Sequence, residues 1–193
     1  METAFPARRS PGTIDMTENQ TLVCYDSKTT KEASGTMSIM EVKEYLQGFG
    51  LLERVREFNQ SSATVELAAE AAGVAPQRIA KTLSFRDGDG CVLLVAAGDA
   101  RVDNKKFRDA FGFKAKMLSP EEALELTGHP VGGVCPFAVG PRAKVYLDES
   151  LKRFETVLPA AGNDQSAVVL TPEELYGASR AAGWVDACKD WSA

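Results

Sequence analysis

Apolar positions along the chain recur with two periods, 3.6 and 2, and the changes between them outline a fold. Residues 40–48 (MEVKEYLQG) carry apolar side chains at 40, 42, 45 and 46, a helical spacing that Gly48 or Gly50 would end. Residues 55–58 read as extended. Thr64 stands where it would cap a second helix, VELAAEAA, with Gly73 just past its end. Residues 79–85 (IAKTLSF) alternate, residues 86–90 (RDGDG) turn, and residues 91–97 (CVLLVAA) form a continuous apolar run. Together they predict a β-hairpin with one buried strand. After a loop at 98–101, Asp103 is placed to cap a helix through Phe111, and residues 113–117 read as a short strand. Ser119-Pro-Glu-Glu122 and Thr171-Pro-Glu-Glu174 are capping boxes with proline at the first helical position. Short strands are expected at 144–147, 156–159 and 167–170, with a turn or short helix at 150–153 and a turn at 162–165. Trp184 and Trp191 stand in a weakly patterned tail. Helices fall between groups of strands rather than after each one. That order predicts an α+β fold with a mixed sheet.

Residues 1–36 differ from the rest. They hold Pro6, Pro11 and several Ser, Thr and Asn, with only TLVCY at 21–25 resembling a strand. The expectation is an N-terminal extension, mostly loop or disordered, ahead of a single compact domain over 37–193. With 193 residues and 44% hydrophobic content, one domain with a real core is accounted for. The net charge of −5 rules out a globally basic nucleic-acid binder, and no DNA partner is expected. A local basic patch is available, since residues 78–116 hold nine Lys/Arg against five Asp. Cys24, Cys91, Cys135 and Cys188 are scattered without zinc spacing, and His129 is the lone histidine. No metal and no other cofactor is expected. The N-terminus lacks the apolar stretch of a secretory signal, and the run at 91–97 is far too short to cross a membrane. A reduced, soluble, cytoplasmic protein is expected, without a membrane partner.

One loop gathers the candidate chemistry. Residues 128–140 read GHPVGGVCPFAVG, six of them Gly or Pro, a spacing that neither helix nor strand tolerates. Val131, Val134, Phe137 and Val139 would pin such a loop against a core. Its free backbone N–H groups could receive a carbonyl or phosphate oxygen; alternatively, it is only a tight helix-to-strand connection. Cys135 and His129 share the loop and invite a nucleophile–base reading, but no orienting third residue is evident, and the residues fit better as a small packed side chain at Cys135 and a helix-end or surface group at His129. No Gly-x-Ser-x-Gly elbow occurs.

Outside the loop, Lys81 is the most informative residue. Period two places it with Ile79, Leu83 and Phe85 on the more apolar face of its strand. There a lysine must snorkel, pair with an acid, or point into a pocket where it meets a phosphate or a developing oxyanion. Lys105 and Lys106, at the start of the helix after Asp103, are either solvated or contacts for an RNA backbone.

Three motifs, Ile79-Ala-Lys-Thr-Leu-Ser-Phe85, Val102-Asp-Asn-Lys-Lys106 and Gly132-Gly-Val-Cys-Pro136, occur in the order found in the YbaK-type, prolyl-tRNA-synthetase-associated editing domains. The chain resembles that superfamily over roughly residues 40–175. The resemblance implies a mixed, partly closed β-sheet with surrounding helices. It implies a freestanding aminoacyl-tRNA deacylase that hydrolyses the ester of a mischarged tRNA, typically a tRNA for proline carrying alanine or cysteine. The partner would be the acceptor end of aminoacyl-tRNA, with prolyl-tRNA synthetase as a further candidate. The family lysine falls on Lys81 and the Gly-x-x-x-Pro loop on Gly132 to Pro136, so Lys81, Gly132, Gly133 and Pro136 become the candidate catalytic residues. Val134, Cys135, His129, Lys105 and Lys106 become candidate substrate contacts. The resemblance also implies a substrate-assisted reaction, without metal or protein nucleophile, in which the terminal ribose hydroxyl and a water act. Ester hydrolysis needs charge stabilisation more than acid–base strength, which accords with a chain that has neither triad nor metal cluster.

Two departures stand out. Many relatives carry basic residues in the turn that here reads Gly162-Asn-Asp-Gln165, and residues 1–36 match nothing in the family. Two other functions fit the same residues: a non-catalytic module holding tRNA ends or nucleotides, and a cysteine hydrolase built on Cys135.

Overall fold

The computed structural model describes residues 39–191, so the extension expected over 1–36 lies outside the described residues. Helices and strands follow in the order α1 (Ile39–Gln47), β1 (Val55–Glu57), α2 (Val65–Ala72), β2 (Ile79–Asp87), β3 (Gly90–Ala97), β4 (Arg101–Val102) and α3 (Asn104–Phe111). Then come α4 (Pro120–Thr127), β5 (Ala143–Asp148), β6 (Leu158–Pro159), β7 (Ser166–Val168), α5 (Pro172–Ala178), β8 (Gly183–Val185) and β9 (Cys188–Lys189).

The central sheet runs β6-β2-β3-β5-β8. Only the β2–β3 hairpin is antiparallel; β6, β5 and β8 join in parallel. The result is the expected α+β fold with a mixed, curled sheet. Two smaller ladders, β1 with β7 and β4 with β9, extend the structure around it. The hairpin turns on Gly88 and Asp89, with Asp87 opposite Gly90 and Gly88 at φ 55°. A positive φ at the first turn position matches the right-handed twist of the strands.

β3 lies between β2 and β5, and from Cys91 to Ala97 it is completely buried. That burial explains its unbroken apolar run. Around Phe107 of α3, the rings of Phe85, Phe111 and Phe113 pack at centroid distances of 4.7, 4.5 and 5.6 Å. Truncating Phe107 to alanine would cost about 3–5 kcal/mol. A second apolar cluster, Ala68, Ala69, Ile79, Leu158 and Ala167, fastens α2 to the β6 side of the sheet.

Local signals in the sequence govern where helices begin. Thr64 Oγ1 accepts from Leu67 N, and Asp103 accepts from Lys105 N and Lys106 N. Both capping boxes form, Ser119 with Glu122 and Thr171 with Glu174. Residues 113–117 do not form the expected strand; only one bridge, between Met117 and Phe85, remains of it. Conversely, β8 and β9 arise in the tail around Trp184. Among the described residues, no helix is long and apolar enough to cross a membrane.

A candidate active site at an open strand edge

β2 is paired with β3 from Ala80 to Asp87, but its other edge is sealed only at the two ends. β6 pairs with Ile79 and Ala80, and Met117 bridges Phe85. Between them the edge is open, and a cavity of about 390 Å³ occupies the gap. All six consecutive residues from Ile79 to Ser84 border it. A cavity on an edge meets both faces of a strand, so period two alone could not say which side chains reach it. One wall comes from residues 62–65 and Ala68 at the start of α2, another from Leu158, Ala160, Ser166 and Ala167. Val131, Gly132 and Val134 bring the glycine-rich loop to the same space. Met117 and Val131 form an apolar rim, 59% and 64% exposed.

Lys81 borders this cavity, as its place in the motif suggests, but its ammonium is tethered. Nζ donates to Gly98 O at 2.9 Å. Gly98 is held where only glycine fits, because an added Cβ would fall 2.0 Å from Pro76 O and 2.7 Å from Val65 Cγ1. The lysine therefore takes its position from the β3 exit and the entry to α2. Burial pushes its pKa below the ordinary lysine value, against the pull of Cys188, Asp99 and Glu66, and Arg101 acts in the same direction as burial.

The loop is clamped by the turn at 162–165. Gly133 N donates to Pro130 O, and a Cβ on Gly133 would fall 2.9 Å from Asn163 Cα. Gly132 has φ 95°, a backbone conformation that favours glycine. Asn163 Oδ1 accepts from Gln165 N and Ser166 Oγ, while Asp164 O accepts from Ser62 N. The 162–165 turn thus serves here as a structural buttress. Among the described residues, the backbone N–H groups of Gly132 and Val134 donate to no protein acceptor.

The other residues singled out by sequence do not meet at this cavity. His129 and Cys135 are fully buried behind the loop, with Cys135 Sγ 3.4 Å from His129 Nε2 and Nε2 2.9 Å from Phe137 O. Burial pushes the Cys135 thiol up to about 12 and the His129 imidazole down, the Phe137 carbonyl opposing the latter shift. Neither is poised for chemistry on a substrate in the cavity, and both pin the loop from inside. Pro136 is buried and borders a separate hollow of about 290 Å³ beside Tyr45 and Arg180. Lys105 pairs with Asp109, and Lys106 reaches Asp186 and the Cys188 carbonyl, so neither borders the cavity. Within the basic stretch, Arg86 pairs with Glu122, while Arg101 and Lys116 are exposed and have no ion-pair partner among the described residues. Thr82 and Gly98 were not singled out from sequence, and the 162–165 turn stood out there only for its lack of basic residues. A glycine immediately after a buried strand is a signal that would have flagged Gly98. No group of three or more His, Cys, Asp or Glu suited to a metal occurs among the described residues.

A family model described as "Aminoacyl-tRNA editing domain" matches residues 59–177. The chain is 56% identical over 156 residues to YwhH, an uncharacterized protein of Bacillus subtilis (strain 168), covering 80% of this chain and 99% of that one. It is 32% identical over 117 residues to the multifunctional Ser/Thr-tRNA deacylase ProXp-y of Escherichia coli (strain K12), covering 57% of this chain and 70% of the relative. Among solved structures it is similar to one provisionally described as a trans-editing enzyme for prolyl-tRNA synthetase. That likeness has a TM-score of 0.67 and 31% identity, and covers 77% of this chain and 97% of the other.

Proposed function

We propose a reaction from one premise: this chain belongs to the aminoacyl-tRNA editing domain family. It acts as a freestanding deacylase of the cytoplasm, hydrolysing the ester of a mischarged tRNA, with tRNA for proline carrying alanine or cysteine as the first candidate substrate. One observation carries this reading. Gly132 and Val134, whose backbone N–H groups donate to no protein acceptor among the described residues, border the same cavity as Lys81.

In the proposed step, a water oxygen bonds to the ester carbonyl carbon. The bond from that carbon to the terminal ribose oxygen then breaks, and the ribose oxygen leaves as a hydroxyl with one of the water's protons. The free amino acid departs as a carboxylate, and the water's second proton passes to solvent. Negative charge builds on the carbonyl oxygen as the carbon becomes tetrahedral, and the loop N–H groups are the donors to receive it. The neighbouring ribose hydroxyl relays the proton, so no buried thiol or imidazole is needed. Lys81 holds the phosphate or ester oxygen at the cavity mouth, and Arg101 and Lys116 meet the acceptor-strand backbone. Small residues of the wall, Ala63, Ala68, Ala160 and Ala167, favour a small aminoacyl side chain. Prolyl-tRNA synthetase is the natural source of such a substrate, and so a candidate partner.

The test is single-turnover hydrolysis by the full chain over a panel of mischarged tRNAs: tRNA for proline bearing alanine, cysteine or serine, and noncognate tRNAs bearing serine or threonine. The expected result is deacylation of at least one small-residue ester far above the spontaneous rate. Tight binding of charged tRNA without any acceleration would overturn the reading in favour of a non-catalytic module.

A further inference from the structure

The open edge of β2 has a polarity that its neighbours fix. Leu118 N donates to Ser84 O, and Arg86 N donates to Lys116 O. Ser84 and Arg86 therefore turn their main-chain groups away from β3. Main-chain direction alternates along a strand, so Thr82, two residues earlier, also turns its N–H and C=O to the open side. The residues between, Lys81, Leu83 and Phe85, turn theirs to β3, opposite Ala96, Leu94 and Val92. Among the described residues, nothing bonds the Thr82 N–H or C=O. A second observation points to the same residue: Thr82 Oγ1 is buried and has no hydrogen-bond partner. Buried polar groups are satisfied in the great majority of cases, so a buried unpartnered hydroxyl, on a residue whose main-chain groups also lack a protein partner at the cavity, calls for an occupant.

We propose that the Thr82 main chain reads the aminoacyl group of the substrate as a one-residue antiparallel strand, which rests on the deacylase reading above. In a hydrogen-bonded antiparallel pair, two residues exchange both N–H···O bonds. An α-amino ester carries the matching groups on one carbon: an ammonium donor and, one bond further on, a carbonyl acceptor. Docked against Thr82, its ammonium donates to Thr82 C=O and its ester carbonyl accepts from Thr82 N–H through one lone pair, leaving the other for the loop N–H groups. The β6 side and the Met117 bridge bound the gap at both ends, so there is room for one residue and no more. A peptide in extended form would collide with one end or the other. The arrangement selects the end of a charged tRNA by the chemistry shared by all α-amino esters. Discrimination among amino acids is left to the side-chain wall.

The deciding experiment compares two esters on the tRNA that the panel identifies as substrate. One is the aminoacyl ester; in the other, hydrogen replaces the α-ammonium, as propionyl replaces alanyl. Each enzymatic rate is divided by the spontaneous rate of the same ester, which removes the ammonium's effect on intrinsic reactivity. Loss of the donor should lower the corrected rate by 10-fold or more. Equal corrected rates would overturn the Thr82 assignment while leaving the deacylase reading intact. No acceleration on any ester would sink both. Thr82→Pro is the protein-side arm. It deletes an N–H that takes no part in the β2–β3 ladder, and proline is tolerated on strand edges for that reason. A folded Thr82→Pro protein with undiminished turnover would also overturn the proposal. If Thr82→Pro fails to fold, the ester pair decides alone.

Discussion

Replacing Gly133 with alanine tests how the loop is held. The added Cβ would lie 2.9 Å from Asn163 Cα, 3.2 Å from Gly162 O and 3.3 Å from Asn163 C, all backbone atoms that cannot rotate away. Carbon–carbon contact is comfortable from about 3.5 Å, so loop and turn must separate by about 0.6 Å. A displacement of about 1 Å in a positioning element can cost on the order of 10²-fold in rate. On that scale Gly133→Ala should slow single-turnover deacylation by roughly tenfold or somewhat more. Overpacking of this kind also costs about 1–3 kcal/mol, which should lower Tm by several degrees. Gly132→Ala provides the contrast. Its Cβ would meet Ala63 Cβ at 3.7 Å and Asp164 Cβ at 3.9 Å, ordinary contacts, so its cost comes from the backbone at φ 95°. It should reorient the N–H groups of the loop without prising it off the turn. The assay is quenched single-turnover hydrolysis with enzyme in excess, alongside thermal melts of both variants. A Gly133→Ala protein that melts and reacts like the parent would refute the clamp by the 162–165 turn.

Four other outcomes are expected. Lys81→Ala should keep its fold and lose about 10²–10³ in corrected rate, the usual loss for one electrostatic stabiliser. The depressed Lys81 pKa implies that activity begins to fall, as pH rises, below the alkaline range of an ordinary lysine, which a pH–rate profile would reveal. Cys135→Ala should retain activity to within about tenfold, since the thiol is buried and its pKa is raised; abolished turnover would revive the cysteine hydrolase. His129 is held neutral in the fold, whereas an unfolded chain takes up its proton near pH 6.5. Stability should therefore be full above that pH and decline as pH falls from there toward the lower folded-state value. Urea melts at pH 7 and 5.5 should show a smaller decline in His129→Phe.

Much of this architecture was legible because it is written in local chemistry. Thr64, Asp103, Ser119 and Thr171 cap helices through their own side chains, and the 79–97 hairpin is carried by alternation, a glycine turn and an apolar run. β8 and β9 were not legible. They span three and two residues and are strands only because β5 and β4 lie beside them, a fact set by distant residues. The same limit applies at the site. Lys81 stands out in sequence by its apolar neighbours, but Thr82 does not, because its significance lies in the absence of a partner strand. Cys135 and His129 look like chemistry in sequence, and three-dimensional packing makes them interior supports.

An unfinished edge is also a hazard. Exposed strand edges invite other chains to pair with them and seed association between copies. Here the exposure is confined to the stretch between Ala80 and Phe85, too short and too recessed to template a foreign strand. That restriction bounds how the pocket can be remodelled. Enlarging it along β2, by loosening Met117 or β6 to admit bulkier esters, would lengthen the bare edge and raise the tendency to aggregate. Variants that widen the cavity through Ala63 or Ala167 instead leave the edge unchanged. Substrate range in this fold should therefore drift through the side walls, with solubility acting as the brake on drift along the strand.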